Sequence, residues 1–226
     1  MLYTACLILP YAAIFFAAQS NSALNVALLT QSEVIFAALI GWLFLKEQLQ
    51  ASRLAGVAFI LLSNLIVLYS GGLSFNLMSL ILIFAPFVFV FGNAIAKRLQ
   101  AEGLPYAPLL LFRGVVGGIF TLGLSFLIEE MQMPVLSSWS FLLFFGLFCF
   151  GIPKVFWQIA LNKIDLSKNT AIALSYPAFS FILAYFWLGE IPSFYQWAGL
   201  LFSFVGIYFL MRSSSRSLLE LASRPD

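Results

Sequence analysis

Eight runs of mostly apolar residues, each about long enough to cross a lipid bilayer as a helix, take up nearly all of this chain. A spanning helix needs roughly 20 residues at about 1.5 Å of rise each. The runs cover about residues 3–19, 23–45, 54–70, 75–95, 107–128, 139–161, 167–188 and 194–212. The breaks are short and polar, as at Ser20-Asn21-Ser22 and between Lys163 and Lys168. Such connections force each helix back beside the one before it and leave no space for a soluble domain. Composition agrees. Of 226 residues, 62% are hydrophobic and 9% charged, against roughly 45–50% and 25% in soluble domains. A small globule keeps too much wet surface to hide that excess. The reading is an all-α polytopic membrane protein with eight transmembrane helices and the lipid bilayer as solvent.

The same composition excludes several function classes. A net charge of +2 with scattered Lys and Arg gives no electrostatic footprint for nucleic acid. The chain has no His, the commonest metal ligand and general base. It has no paired aspartates and no His-Glu motif, so no clustered catalytic groups point to an intramembrane enzyme. No metal and no cofactor is expected. Cys6 and Cys149 sit inside apolar runs and read as buried thiols. The first run is short enough for a signal peptide, but its start, Met1-Leu2-Tyr3-Thr4, lacks the basic residues such peptides carry.

Charge sets orientation. If the N-terminus faces one side, the loops there hold Lys46, Arg53, Lys97, Arg98, Lys163 and Lys168, and the tail adds Arg212, Arg216 and Arg224. The opposite loops hold Glu129, Glu130 and Glu190 instead. Cytoplasmic loops carry the Lys and Arg excess, so both termini are expected in the cytoplasm. The location implied is a plasma membrane, bacterial or archaeal.

Residues 1–70 align without gaps on residues 144–213, at an offset of 143. The matches include Cys6/Cys149, Pro10/Pro153, Ser32/Ser175, Phe36/Phe179, Glu47/Glu190, Gly56/Gly199 and Phe59/Phe202. Five helices separate equivalent positions. Five is odd, so the second copy must lie upside down in the membrane. Inverted repeats are the architecture from which many secondary transporters build alternating access, with the substrate near the midplane. A repeat kept only for symmetric packing is the alternative.

The string Ser32-Glu33-Val34-Ile35-Phe36-Ala37-Ala38 runs to Leu45-Lys46-Glu47 and then Leu54-Ala55-Gly56. Ser175-Tyr176-Pro177-Ala178-Phe179 runs to Leu188-Gly189-Glu190 and then Ala198-Gly199. Both resemble the fourth-to-fifth helix signature of EamA-type transporters in the drug/metabolite transporter superfamily. Asn93 to Lys97-Arg98, followed by Pro108 to Phe112-Arg113, is similar to the opening helix pair of that family's repeat. The resemblance implies ten helices as five plus five around a central cavity, with export or uptake of small metabolites such as amino acids. Against that pattern the chain reads as a partial first repeat of three helices (1–70), a complete second repeat of five (75–213) and a cytoplasmic tail (214–226). A non-transporting membrane protein or partner subunit is the alternative to a permease. Oligomeric state stays open.

Seven residues are candidates for a substrate or proton pathway. Glu33 lies about 15 Å into its helix at 1.5 Å per residue, near the midplane, where an ionisable group is costly unless it meets a cavity or a partner. Its face reads Thr30, Glu33, Ala37, Gly41, and the repeat equivalents are Ala173, Tyr176, Ser180 and Ala184. Both faces are expected to look away from lipid. Glu33 contacts substrate, carries a coupling proton, or serves packing. Lys154 lies about two turns from its helix end and heads a face with Gly151, Gln158 and Asn162. It neutralises an anionic substrate, pairs with Glu33, or snorkels to the interface. Trp157 and Tyr176 are stacking surfaces or packing aromatics, and Asn93 and Thr30 complete the set. Arg113 reads as a snorkelling anchor. Gly114 with Gly118, and Gly199 with Ser203, read as helix-packing pairs. Pro10 and Pro153 suggest paired bends.

Overall fold

The structure, a computed structural model, describes residues 2–48, 50–69, 77–128, 135–173 and 176–222. Ser175, Glu129, Glu130, Arg224 and the start of the run at 75 lie outside the described residues. Eight helical rods appear, and several are interrupted. They are α1 (Leu2–Ala18); α2 (Ala23–Leu29) with α3 (Ser32–Leu45); α4 (Ala51–Tyr69); α5 (Leu77–Ala101); and α6 (Tyr106–Ile128). The sixth rod joins α7 (Leu136–Phe144), a π-helical stretch (Phe145–Gly151) and α8 (Ile152–Lys163). The seventh joins α9 (Leu166–Ala173), α10 (Pro177–Leu183) and a second π-helical stretch (Ala184–Leu188), and the last is α11 (Phe194–Ala222). Seven rods are long and apolar enough to cross a membrane; α1 is shorter, at 17 residues. The last helix continues to Ala222, so it runs on into the segment expected from sequence to be the cytoplasmic tail.

The second rod turns at Thr30-Gln31, between α2 and α3, and in the seventh rod α10 begins at Pro177. At Thr30-Gln31 the Thr30 hydroxyl donates back to the Val26 carbonyl at 2.7 Å, the kind of side-chain bond that competes with the helix ladder. In the seventh rod Pro177 opens α10; without an N–H it cannot continue a helix from before. Pro153 likewise follows a π-helical stretch, whereas Pro10 sits inside continuous α-helix. The two equivalent prolines therefore sit in different local settings.

The two broken rods run antiparallel beside each other, α2 against α10 and α3 against α9. These rods are equivalents in the sequence repeat, and their antiparallel pairing is the arrangement an inverted repeat requires. Helices α4 and α11 show it again. A Cβ on Gly56 would lie 2.7 Å from the Gly206 carbonyl oxygen, and one on Gly206 would lie 2.8 Å from the Gly56 oxygen. Around the equivalent positions, the Ser63 hydroxyl donates to the Gly199 carbonyl at 2.7 Å. Close backbone approach between small residues replaces the hydrophobic drive that lipid removes.

Gly199 and Ser203 face this crossing as expected, but Gly114 and Gly118 do not pack. Nothing lies within 4 Å of a Cβ built on either; both line an open cleft. One side of the fold is also uncovered. Phe36 and Phe44 meet rings of α5, whereas their equivalents Phe179 and Trp187 are 68% and 84% exposed.

Gly206→Ala is expected to cost about 1–3 kcal/mol, the usual range for overpacking a tight contact. Gly118→Ala should stay within about 0.5 kcal/mol of wild type. Thermal unfolding in detergent compares the two; equal stability would remove the close crossing as a support of the fold.

Candidate functional site

The repeat axis exchanges the two membrane faces, so it must lie at mid-depth. Residues that are equivalent under the repeat and also touch each other must straddle that axis. Tyr11 and Lys154 are such a pair, at the offset of 143: the Lys154 ammonium donates to the Tyr11 hydroxyl at 2.6 Å. Phe59 and Phe202, also equivalents, stack with centroids 6.0 Å apart. Lys154 is therefore held against its symmetry partner, beside the repeat axis. Its ammonium also lies 5.0 Å from the Phe89 ring centroid and 5.2 Å from that of Tyr11, within range of cation–π attraction.

The Thr30 and Tyr176 hydroxyls lie 2.8 Å apart, joining the end of α2 to the start of α10. Glu33, in the first turn of α3, is half-buried. Both Lys154 and Tyr176 interact with it electrostatically. Four of the seven candidates thus gather at the axis, with Tyr11 added. Tyr11 escaped notice in the sequence because a Tyr among apolar residues carries no signal of its own; pairing it with Lys154 through the repeat would have found it.

The remaining three are placed differently. Asn93 and Gln158 are buried, and neither amide has a hydrogen-bond partner among the described residues. The same holds for Gln31 at the break. Trp157 has an unpartnered ring N–H, while its carbonyl accepts from Asn169. Of the Glu33 face, Thr30, Ala37 and Gly41 are buried, as expected. Its repeat counterpart is only partly covered: Ala173 and Tyr176 remain exposed. Arg113 is not a free anchor. Its guanidinium lies 6.0 Å from the Phe89 centroid, and one of its nitrogens is buried without a partner.

Tyr11, Lys154 and Arg113 line a mainly apolar cleft of about 980 Å³ between α1, α6 and the sixth rod. The combination of two cations on an aromatic platform with an apolar wall can receive an anionic group attached to an apolar body. The Glu33 carboxylate nearby can receive the opposite charge.

Each end of the bundle carries a carboxylate that crosses between repeats. Glu47, from the first repeat, accepts from the Leu166 N–H at 2.7 Å and the Ser167 hydroxyl at 2.9 Å. It thereby caps the start of α9 in the second. Glu190, from the second, accepts from the N–H groups of Ala23 and Leu24 at 2.9 and 3.3 Å and caps the start of α2 in the first. The first N–H groups of a helix have no partner within it, and a carboxylate is a strong acceptor for them. Both carboxylates follow a left-handed residue, Lys46 at φ 56° and Gly189 at φ 66°. That conformation turns the chain back across the helix end.

Comparison with known proteins matches residues 2–69 and 76–212 to the EamA-like transporter family. A relative described as "Uncharacterized transporter YdfC", from Bacillus subtilis (strain 168), is 27% identical over 175 residues. The aligned part is 74% of this chain and 55% of that protein, so the chain spans about half the length of the relative. A solved structure described as "Crystal structure of protein" superposes with a TM-score of 0.73 over 95% of this chain and 76% of that one, at 17% identity. That likeness is one of fold.

The Thr30–Tyr176 bond is expected to show a coupling energy near 0.6 kcal/mol, and below about 2, in a Thr30→Val, Tyr176→Phe double-mutant cycle read by unfolding. Zero coupling would separate the two breaks.

Proposed function

The chain belongs to the EamA-like transporter family, and from that premise we propose that it moves a small metabolite across the membrane by alternating access. The observation that carries the reading is the Lys154–Tyr11 contact across the repeat axis, beside Glu33 and the Thr30–Tyr176 junction. Ionisable groups at mid-membrane are expensive and are retained where they meet ions, substrates or protons. A site on the axis is equidistant from both faces, as a carrier that opens to each in turn requires.

The chemistry supports a carboxylate-bearing substrate with an apolar body, such as an amino acid or a relative of one. Lys154 and Arg113 receive the carboxylate, the apolar cleft receives the body, and Glu33 receives an amino group or a coupling proton. The buried, unpartnered amides of Gln31, Asn93 and Gln158 supply further donors and acceptors to a polar path. The Lys and Arg excess at the Lys46, Lys97 and Lys163 end supports a cytoplasmic location for that end and both termini. Efflux is the direction we favour for a family of metabolite carriers. In this reading 1–70 and 75–213 act as the two halves that rock about the site.

One observation favours a second reading, a subunit that transports only with a partner. The rings of Phe179 and Trp187 are more exposed than the equivalent Phe36 and Phe44, which meet Phe87 and Phe91 of α5, although Phe44 is itself exposed.

Counterflow of labelled amino acids and other small metabolites in proteoliposomes tests both. The wild-type chain is expected to exchange at least one of them, and Glu33→Gln to abolish exchange or remove its pH dependence. Unchanged exchange across pH in that variant would take Glu33 out of the site. No exchange of any metabolite by the wild-type chain would favour the second reading.

A further inference from the structure

The two ends of the bundle are built from equivalent positions, yet they differ in charge and in openness. At the Glu47 end, Arg53 is 2% exposed and lies between two carboxylates. It is 3.3 Å from Glu47 and 3.1 Å from Asp165. Lys97 adds a second cation, 3.3 Å from Glu47 and 2.7 Å from the Ile164 carbonyl. At the Glu190 end the position of Arg53 is taken by Gln196 and that of Asp165 by Ser22. There Gln196 donates to Asn25 at 2.8 Å and to Ser22 at 3.4 Å. One end is tied by four charged side chains; the other is tied by the Glu190 carboxylate on two backbone N–H groups and by neutral amides and a hydroxyl, with no side-chain cation among the groups named.

Openness follows the same division. A cavity of about 430 Å³ runs from Glu190 and Asn21 past Ala27 and Ser180 to Tyr176. It connects the Glu190 end with the junction at the axis. The counterparts of Ala27, Ser180 and Glu190 are Thr170, Ala37 and Glu47, and all three are buried. The Glu47 end has an outer pocket of about 560 Å³ lined by Trp42, Lys46, Glu47, Gln48 and Gln50, but neither Thr170 nor Ala37 lines it, so it does not follow the path that the vestibule takes toward the axis.

We infer that Glu47, Arg53, Lys97 and Asp165 form the latch that closes one end of the transport path. The structure is then the conformer closed there and open at the Glu190 end. This rests on the alternating-access reading above. Arg53 is the centre of the latch. Its removal leaves the buried Glu47 carboxylate with Lys97 as its remaining cation and leaves Asp165, at the partly exposed rim, without this partner, an unfavourable arrangement that hydration on opening relieves. The neutral Gln196 tie has no such charge to release, so the two gates are unequal in strength. Transport must break the ionic gate and form its neutral counterpart, by the exchange of symmetry-related packings that inverted repeats permit.

The test places single cysteines at the two ends of one rod, in a Cys6→Ala, Cys149→Ala background. Ser180→Cys reports on the vestibule and Thr170→Cys on the closed end. In nanodiscs, a charged methanethiosulfonate reagent reaches both faces but not the lipid. It is expected to modify Ser180→Cys readily and Thr170→Cys much more slowly. Adding Arg53→Gln should raise the Thr170→Cys rate about tenfold or more and slow that of Ser180→Cys, the usual scale for coupling between two states. Arg53→Lys should keep the original pattern in part. Asp165→Asn removes a rim charge and serves where Arg53→Gln fails to fold; it should shift the rates in the same direction. Equal rates for the two reporters before the added change, or no shift on removing Arg53 or Asp165, would overturn the latch. The readout needs no substrate. A shift in labelling without counterflow would leave the latch standing and sink the transport reading, and counterflow without a shift would do the reverse.

Discussion

A membrane helix that breaks must find partners for the backbone groups it frees, because lipid offers none. That constraint organises this molecule. Two of its rods are broken or restarted inside the bundle, and their entrances are held by carboxylates from the opposite repeat. Glu47 holds the start of α9 and Glu190 the start of α2. Each half supplies what the other half lacks. Neither repeat is satisfied alone, so the pairing of repeats is set by backbone hydrogen bonding as well as by the glycine-lined crossing of α4 with α11.

From this pairing the site follows. Antiparallel packing of the two equivalent rods brings Thr30, at the end of α2, against Tyr176, just before α10. The same axis brings Tyr11 to Lys154. Two repeats with the same fold but different residues at equivalent positions yield a polar centre without an exposed lipid-facing charge. They also yield two ends of unequal chemistry, ionic at Arg53 and neutral at Gln196. Symmetry provides two interchangeable packings, and divergence of sequence decides which is favoured.

Much of the architecture was legible in the sequence. Apolar run length fixed the rods, because a bilayer sets helix length, and the Cys, Pro, Glu and Gly matches at one offset fixed the inverted repeat. Glu33, Thr30, Lys154 and Tyr176 stood out as polar groups in apolar runs, and they converge. What the sequence hid depends on distance across repeats. Glu47 and Glu190 were visible as a matched pair, but a carboxylate after a helix becomes a cap only when another helix begins beside it. Arg113 read as a snorkelling anchor, and for Lys154 snorkelling stayed one of three readings, because a linear chain does not say whether a long side chain points to lipid or to Phe89. Gly114 and Gly118 carried the right spacing for packing but face a cleft; spacing names a helix face, not its neighbour.

The central claim is that two like units sit head-to-tail across the bilayer, and sidedness tests it most directly. Gln48 and Ile191 are exposed equivalents, one residue beyond Glu47 and Glu190. With single cysteines at these positions in sealed vesicles of known orientation, the account predicts that an impermeant maleimide modifies Gln48→Cys from one face only and Ile191→Cys from the other only. Modification of both from the same face would contradict it.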